Sequence, residues 1–181
     1  VLADNTLVHP AIEALFTIDE ETGMTGAIQL DASMIQGSIL LNLDTEEEDA
    51  FTIGCAGGLD TNTTAAYKEV APGDGFVSYI LQVKGLLGGH SGMDIHKGRA
   101  NANKLMNRLL YKAQQQFDIQ LVSLDGGSLR NAIPRESTAQ VLISKAEEND
   151  FLAFISEFEK ILKEEYQHIE TGLTVTYTKA D

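Results

Sequence analysis

The sequence contains a single cysteine, Cys55, among its 181 residues. No internal disulfide is possible, which fits a reducing compartment and a cytoplasmic protein. No apolar run approaches the roughly 18–20 residues that span a bilayer, so no membrane helix is expected. The opening Val1-Leu2-Ala3-Asp4-Asn5 has no basic region and no apolar stretch behind it, so it is not a signal peptide. It also lacks an initiator methionine, and the sequence is read as cut from a longer chain. Basic residues are scarce, with 13 Lys and Arg against 27 Asp and Glu, a formal net charge of -14. Such a surface repels phosphate backbones, which argues against nucleic acid as a partner and leaves room for a cation site. There is no internal repeat and no low-complexity tract. The glycine-rich stretch from Gly85 to Gly92 is not closed by Gly-Lys-Ser/Thr, so it is not a phosphate loop.

What is present is a globular composition, 43% hydrophobic and 22% charged. Its texture changes near residue 62. Before that point, Ala14-Leu15-Phe16-Thr17-Ile18 and Ser38-Ile39-Leu40-Leu41-Asn42-Leu43 are short apolar runs that suit buried parallel strands, with a turn and a short helix after Thr22. Beyond it the pattern alternates. Val77, Tyr79, Leu81 and Val83 sit two apart, as on one face of a strand. A helix is predicted over 97–116, with Leu105, Met106, Leu109 and Leu110 as its apolar stripe. Strands are predicted at 119–124 and 138–143. A second helix is predicted over 150–167, with Phe151, Phe154, Ile155, Phe158, Ile161 and Leu162 repeating at three and four. Leu173, Val175 and Tyr177 suggest a last strand. The order β-α-β-β-α-β is the ferredoxin-like pattern.

Four places could carry chemistry. Asp19-Glu20-Glu21 follows the first apolar run, and three adjacent carboxylates repel unless something positive holds them. Ligands of open α/β sheets bind beyond the carboxyl ends of strands; the bland reading is a solvated acidic turn. Asp44 ends the second run about one crossover later, and oxygen ligands there would suit zinc, manganese or cobalt. The following Glu46, Glu47, Glu48 and Asp49 read as a solvated charge run. In Gly88-Gly89-His90-Ser91-Gly92 the flanking glycines leave the imidazole uncovered, which suits a donor to a developing oxyanion. In Ser128 to Glu136, Asn131 could aim an amide at a ligand and Arg130 or Arg135 could meet a carboxylate; equally, both arginines could simply offset the acidic surface. His9, His96 and His168 have no ligand-like spacing, and Cys55 reads as a small buried side chain.

Together these segments resemble a known family. Thr17-Ile18-Asp19-Glu20-Glu21-Thr22-Gly23-Met24-Thr25-Gly26-Ala27 is similar to the glutamate-pair motif of the di-zinc peptidase clan that includes carnosinases and carboxypeptidase G2. Asn42 to Glu48, Gly54-Cys55-Ala56-Gly57-Gly58, Lys84 to Gly92, Asn101-Ala102-Asn103-Lys104-Leu105 and Leu129 to Glu136 narrow the resemblance to the bacterial aminoacyl-histidine dipeptidases. The resemblance implies an α/β catalytic-domain fragment over 1–61, then an α+β ferredoxin-like lid over 62–181. It implies hydrolysis of dipeptides, especially Xaa-His, with two divalent metal ions, zinc first and cobalt or manganese as alternatives. Glu20 would be the general base toward the metal-bound water, and Glu21 and Asp44 would each bind a metal. His90 would polarise the scissile carbonyl, Asn131 would help bind substrate, and the lid would join two copies as a homodimer. The family's other metal ligands match nothing between residues 1 and 181, so this segment alone is expected to bind zinc weakly and hydrolyse little. The rival readings are another exopeptidase or deacylase of the clan, and a non-catalytic dimerisation module.

Overall fold

The computed structural model describes residues 3–44, 49–55 and 57–180. The chain falls into two compact units, Val1–Thr64 and Ala65–Asp181.

The second unit is built on a four-stranded antiparallel sheet. Strand β1 (Phe76–Lys84) is central, because its alternate residues Tyr79, Leu81 and Val83 need cover on one face. It pairs with a strand on each side. The register with β5 (Ser137–Ser144) runs from Phe76 opposite Ser144 to Val83 opposite Ser137. On the other side Ser78 lies opposite Ala180 and Lys84 opposite Thr174 of β6 (Thr174–Ala180). Strand β3 (Ile119–Gly126) pairs with β5, and its register shifts between Leu121 and Ser123, a bulge that leaves Val122 without a rung. The resulting order is β3-β5-β1-β6. A separate two-stranded ladder joins β2 (Gly89–His90) to β4 (Ala132–Ile133).

Two helices cover the apolar face. Helix α2 (Ala102–Ala113) begins where the Asn101 side chain accepts the Lys104 amide, a standard N-cap. The predicted start at 97 was too early, because Ile95–Lys97 form their own 3-10 turn. Ala102, Leu105, Met106, Leu109 and Ala113 are buried, one stripe of the helix. Helix α3 (Glu148–Glu165) buries Phe151, Ile155, Phe158 and Leu162. Phe154 is only partly buried and Ile161 is exposed, so the stripe is narrower than the sequence suggests. The buried residues of α2 and α3, with Ala139, Val141 and Ile143 of β5, form one continuous core. At the first turn of α3, the Tyr79 hydroxyl and Lys179 both donate to Glu148 Oε1, at 2.6 and 2.8 Å. Lys179, then Tyr79, hold the Glu148 carboxyl below its usual range, and Glu148 with burial pushes the phenol up to about 12.

The first unit is different. Its described residues contain helix α1 (Thr25–Ile28) and a 3-10 turn at Ala32–Met34, and no strand. The expectation of buried parallel strands at 14–18 and 38–43, and so of an α/β unit over 1–61, is not met here. A strand exists through its ladder partners, and these two runs do not pair with each other. Their side chains face solvent: Phe16 is 90% and Leu41 78% exposed. Cys55 is exposed as well, which corrects the buried reading. The charge run Glu46, Glu47, Glu48 and the motif residue Ala56 lie outside the described residues. Among the described residues no helix is long and apolar enough to cross a membrane.

Candidate functional site

The candidate residues divide between the two units. In the first, Asp19 is consumed by its own turn. Its carboxylate accepts the hydroxyls of Thr22 and Thr25, and its carbonyl accepts the amides of Gly23 and Met24 at 3.1 and 2.6 Å. It sits at φ 63°, a conformation that Asp tolerates better than most residues because its side chain can bond locally. The triplet is thus split by role, for Glu20 and Glu21 remain in the turn with exposed side chains. Asp44 is also exposed, at the end of the second apolar run, where its amide donates to Asn42 Oδ1 at 3.0 Å. A further tie holds this unit: Glu13 Oε2 accepts the amides of Gln36 and Gly37 at 2.9 and 2.8 Å. The exposed carboxylates Glu20, Glu21 and Asp44 are hard oxygen donors of the kind divalent cations take. Among the described residues, however, no three His, Cys, Asp or Glu side chains gather as a metal site.

In the second unit the structure brings His90 and Asn131 together. His90 lies opposite Ala132 in the β2–β4 ladder, and the Ser91 amide donates to the Asn131 carbonyl at 2.8 Å. Both side chains are exposed, so both are available to a ligand. The imidazole is folded back over its own loop. His90 Nδ1 accepts the amides of Gly92 and Met93 at 3.1 and 3.2 Å. A backbone N–H can only donate, so Nδ1 carries no proton, and the proton of the neutral ring sits on Nε2. Nε2 is therefore a hydrogen-bond donor. Beside the ladder an open cleft of about 690 Å³ is lined by Leu87, Gly89, Gly126, Ala132 and Arg135.

The loop that carries His90 is held by residues the sequence reading passed over. Asp94 accepts the His90 amide at 2.8 Å and pairs with Lys97 and Arg99 at 2.7 and 3.2 Å. Lys97 first, then the His90 amide, hold the Asp94 carboxyl down at about 2. Arg99 also donates to the Gly88 carbonyl at 2.6 Å. This approach requires glycine at 89, which sits at φ 144°; a Cβ there would meet Arg99 Nη1 at 2.3 Å and Asp94 Oδ2 at 2.6 Å. The signal was present as Asp94-x-x-Lys97-x-Arg99 just after His90, opposite charges at loop spacing. No signal marked Glu170, whose partners Leu87 and Ala100 are distant in sequence.

Residues 81–170 match the peptidase dimerisation domain family. Over 175 residues the chain is 41% identical to the cytosol non-specific dipeptidase of Escherichia coli (strain K12), covering 97% of this chain and 36% of that protein. The crystal structure of aminoacylhistidine dipeptidase from Vibrio alginolyticus matches with a TM-score of 0.75 and 42% identity, over 91% of this chain and 34% of that one. The chain thus spans about a third of the length of these relatives, both of which are dipeptidases. The stretch that matches the peptidase dimerisation domain family, residues 81–170, holds both His90 and Asn131.

Proposed function

We propose that this sequence is part of a metal-dependent dipeptidase and that Ala65–Asp181 is its lid. The observation that carries the reading is the exposed His90 ring, whose Nδ1 accepts two amides of its own loop and so leaves the proton on Nε2. Nε2–H can donate to the oxygen of a scissile carbonyl and hold the charge that develops there, an interaction stronger in the transition state than before it. Asn131, whose carbonyl accepts the Ser91 amide next to His90, supplies an exposed side-chain amide to orient the same group. Glu20 takes a proton from the attacking water and passes it to the leaving amine. Glu21 and Asp44 belong to the donor set for two divalent cations, zinc in the first instance with cobalt or manganese as alternatives, completed by residues that this segment does not supply. When bound, such a pair would supply a more acidic water and positive charge beside the reacting carbonyl. In the complete protein the apolar runs at 14–18 and 38–43 pair into the catalytic sheet. The β-α-β-β-α-β order of the lid is ferredoxin-like.

The substrate is a dipeptide. The two relatives differ in name, one non-specific and one aminoacylhistidine, and the resemblance in the sequence favours Xaa-His. A homodimer forms through the lid. It is supported by the domain family and by β3, an edge strand whose Leu121, Val122 and Leu124 are more than half exposed. A cytoplasmic location is supported by the lone cysteine and by the name of the cytosolic relative. The test uses the full-length protein that carries this sequence. About two zinc ions per chain are expected, with Xaa-His hydrolysis lost on chelation and restored by zinc. His90→Ala is expected to lower kcat about 10²–10³-fold with the dimer intact. Activity indifferent to chelator, or cleavage of acyl-amino acids in place of dipeptides, would overturn the reading; loss of the dimer alone would favour a non-catalytic module.

A further inference from the structure

Among the described residues, Ser137 and Glu170 are the buried polar side chains, and Glu170 is the ionisable one. It sits in the turn between α3 and β6 and is 3% exposed. Its Oε2 accepts the Leu87 amide at 2.8 Å, and its Oε1 accepts the Ala100 amide at 2.9 Å. Those two amides flank the segment that carries His90. The same base is pressed together at a second point, where Gly85 meets Gly172. A Cβ on Gly85 would lie 2.0 Å from the Gly172 carbonyl oxygen, and Gly85 adopts φ 80°, so only glycine fits. At the tip, Asp94 and Arg99 hold the His90 amide and the Gly88 carbonyl. A carboxylate is an expensive group to bury, and two neutral N–H donors are little reward for core stability alone. Its two oxygens do match two amides at the two ends of one loop, whereas a glutamine would offer one acceptor oxygen in place of two.

We propose that Glu170 is a positioning residue for the dipeptidase reaction: it closes the base of the 87–100 loop and so fixes where His90 Nε2–H points. The inference rests on the catalytic reading of His90. Glu170 touches no substrate and acts only through the loop. A ring displaced by about 1 Å can lose about 100-fold in rate.

The experiment is a double-mutant cycle in the full-length, metal-loaded enzyme with Glu170→Gln and His90→Ala, reading kcat and KM on an Xaa-His dipeptide. Glu170→Gln keeps size and one acceptor. With His90 present it is expected to lower kcat about 10–100-fold with KM changed far less. In the His90→Ala background the same change should move kcat by less than about twofold, because the residue through which Glu170 acts is gone. Equal losses in both backgrounds would overturn the proposal, as would no loss with His90 present. If His90→Ala itself leaves kcat unchanged, the reading of His90 fails, a result distinct from the additive one. Should Glu170→Gln not fold, Glu170→Asp, which keeps the charge but is too short to reach both amides, enters the same cycle. Failure of both to fold would assign the carboxylate to global stability and overturn the proposal.

Discussion

Leu15-Phe16-Thr17-Ile18 and Tyr79-Ile80-Leu81-Gln82-Val83 are both short apolar stretches that read as strands, yet they come to different ends. Leu81 and Val83 are fully buried, whereas Phe16 and Ile18 are 90% and 73% exposed. The second stretch has a hydrogen-bonded partner on each side and two helices over one face. The first has neither within its own unit. Hydrophobicity supplies a tendency to be buried; only a ladder and a cover turn that tendency into a strand. The same contrast runs through the chemistry. His90 and Asn131 stand on a closed scaffold that fixes a tautomer, while Glu20, Glu21 and Asp44 stand on turns open to solvent.

The largest expected effect tests whether the open unit works once completed. Glu20→Gln in the full-length enzyme should lower kcat about 10²–10⁴-fold with bound zinc unchanged. Steady-state kinetics with metal analysis would check this, and an unimpaired variant would remove Glu20 from the role of base. Next, Phe151→Ala should destabilise the 181-residue chain by about 3–5 kcal/mol, since the ring is fully buried, whereas Phe16→Ala should change it by less than about 0.5 kcal/mol. Denaturant titration of both variants measures the contrast. Repeating Phe16→Ala in the full-length protein sharpens it: a loss as large as that of Phe151→Ala would show the run buried there. The smallest effect lies in the lid. The Asp94 carboxyl titrates at about 2, below its ordinary 3.8. The bonds it makes to Lys97, Arg99 and the His90 amide are therefore fully present above roughly pH 4 and are lost as pH falls through about 2. The His90 amide resonance should shift with a midpoint near 2; a midpoint near 4 would show that Asp94 does not hold the loop.

Much of the second unit was legible because its periods are clean. The two-residue alternation of Val77 to Val83 and the three-four spacing of Phe151 to Leu162 each describe one face of one element, and neither depends on what the element meets. The late start of α2 and the exposure of Ile161 were not legible, because a 3-10 turn and the width of the covering sheet decide them. His90 stood out through its glycines and Asn131 through its polar loop. That the strand after Asn131 pairs with the strand that carries His90 was not legible, since a 3-10 turn, α2 and β3 lie between them.

The sequence by itself determined the two helices and four long strands of the second unit, the absence of an internal disulfide, the strong negative charge and the residue types fit for metal and oxyanion chemistry, because these depend on composition and on spacings within a few residues. Tertiary structure alone decided which runs are buried, that Nδ1 of His90 is an acceptor, and that Glu170 reaches back to close the loop on which His90 stands. Those are contacts between distant parts of the chain or angles set by folding. No local pattern encodes them, because the energy that fixes them arises only when the sheet, its helices and the loops meet.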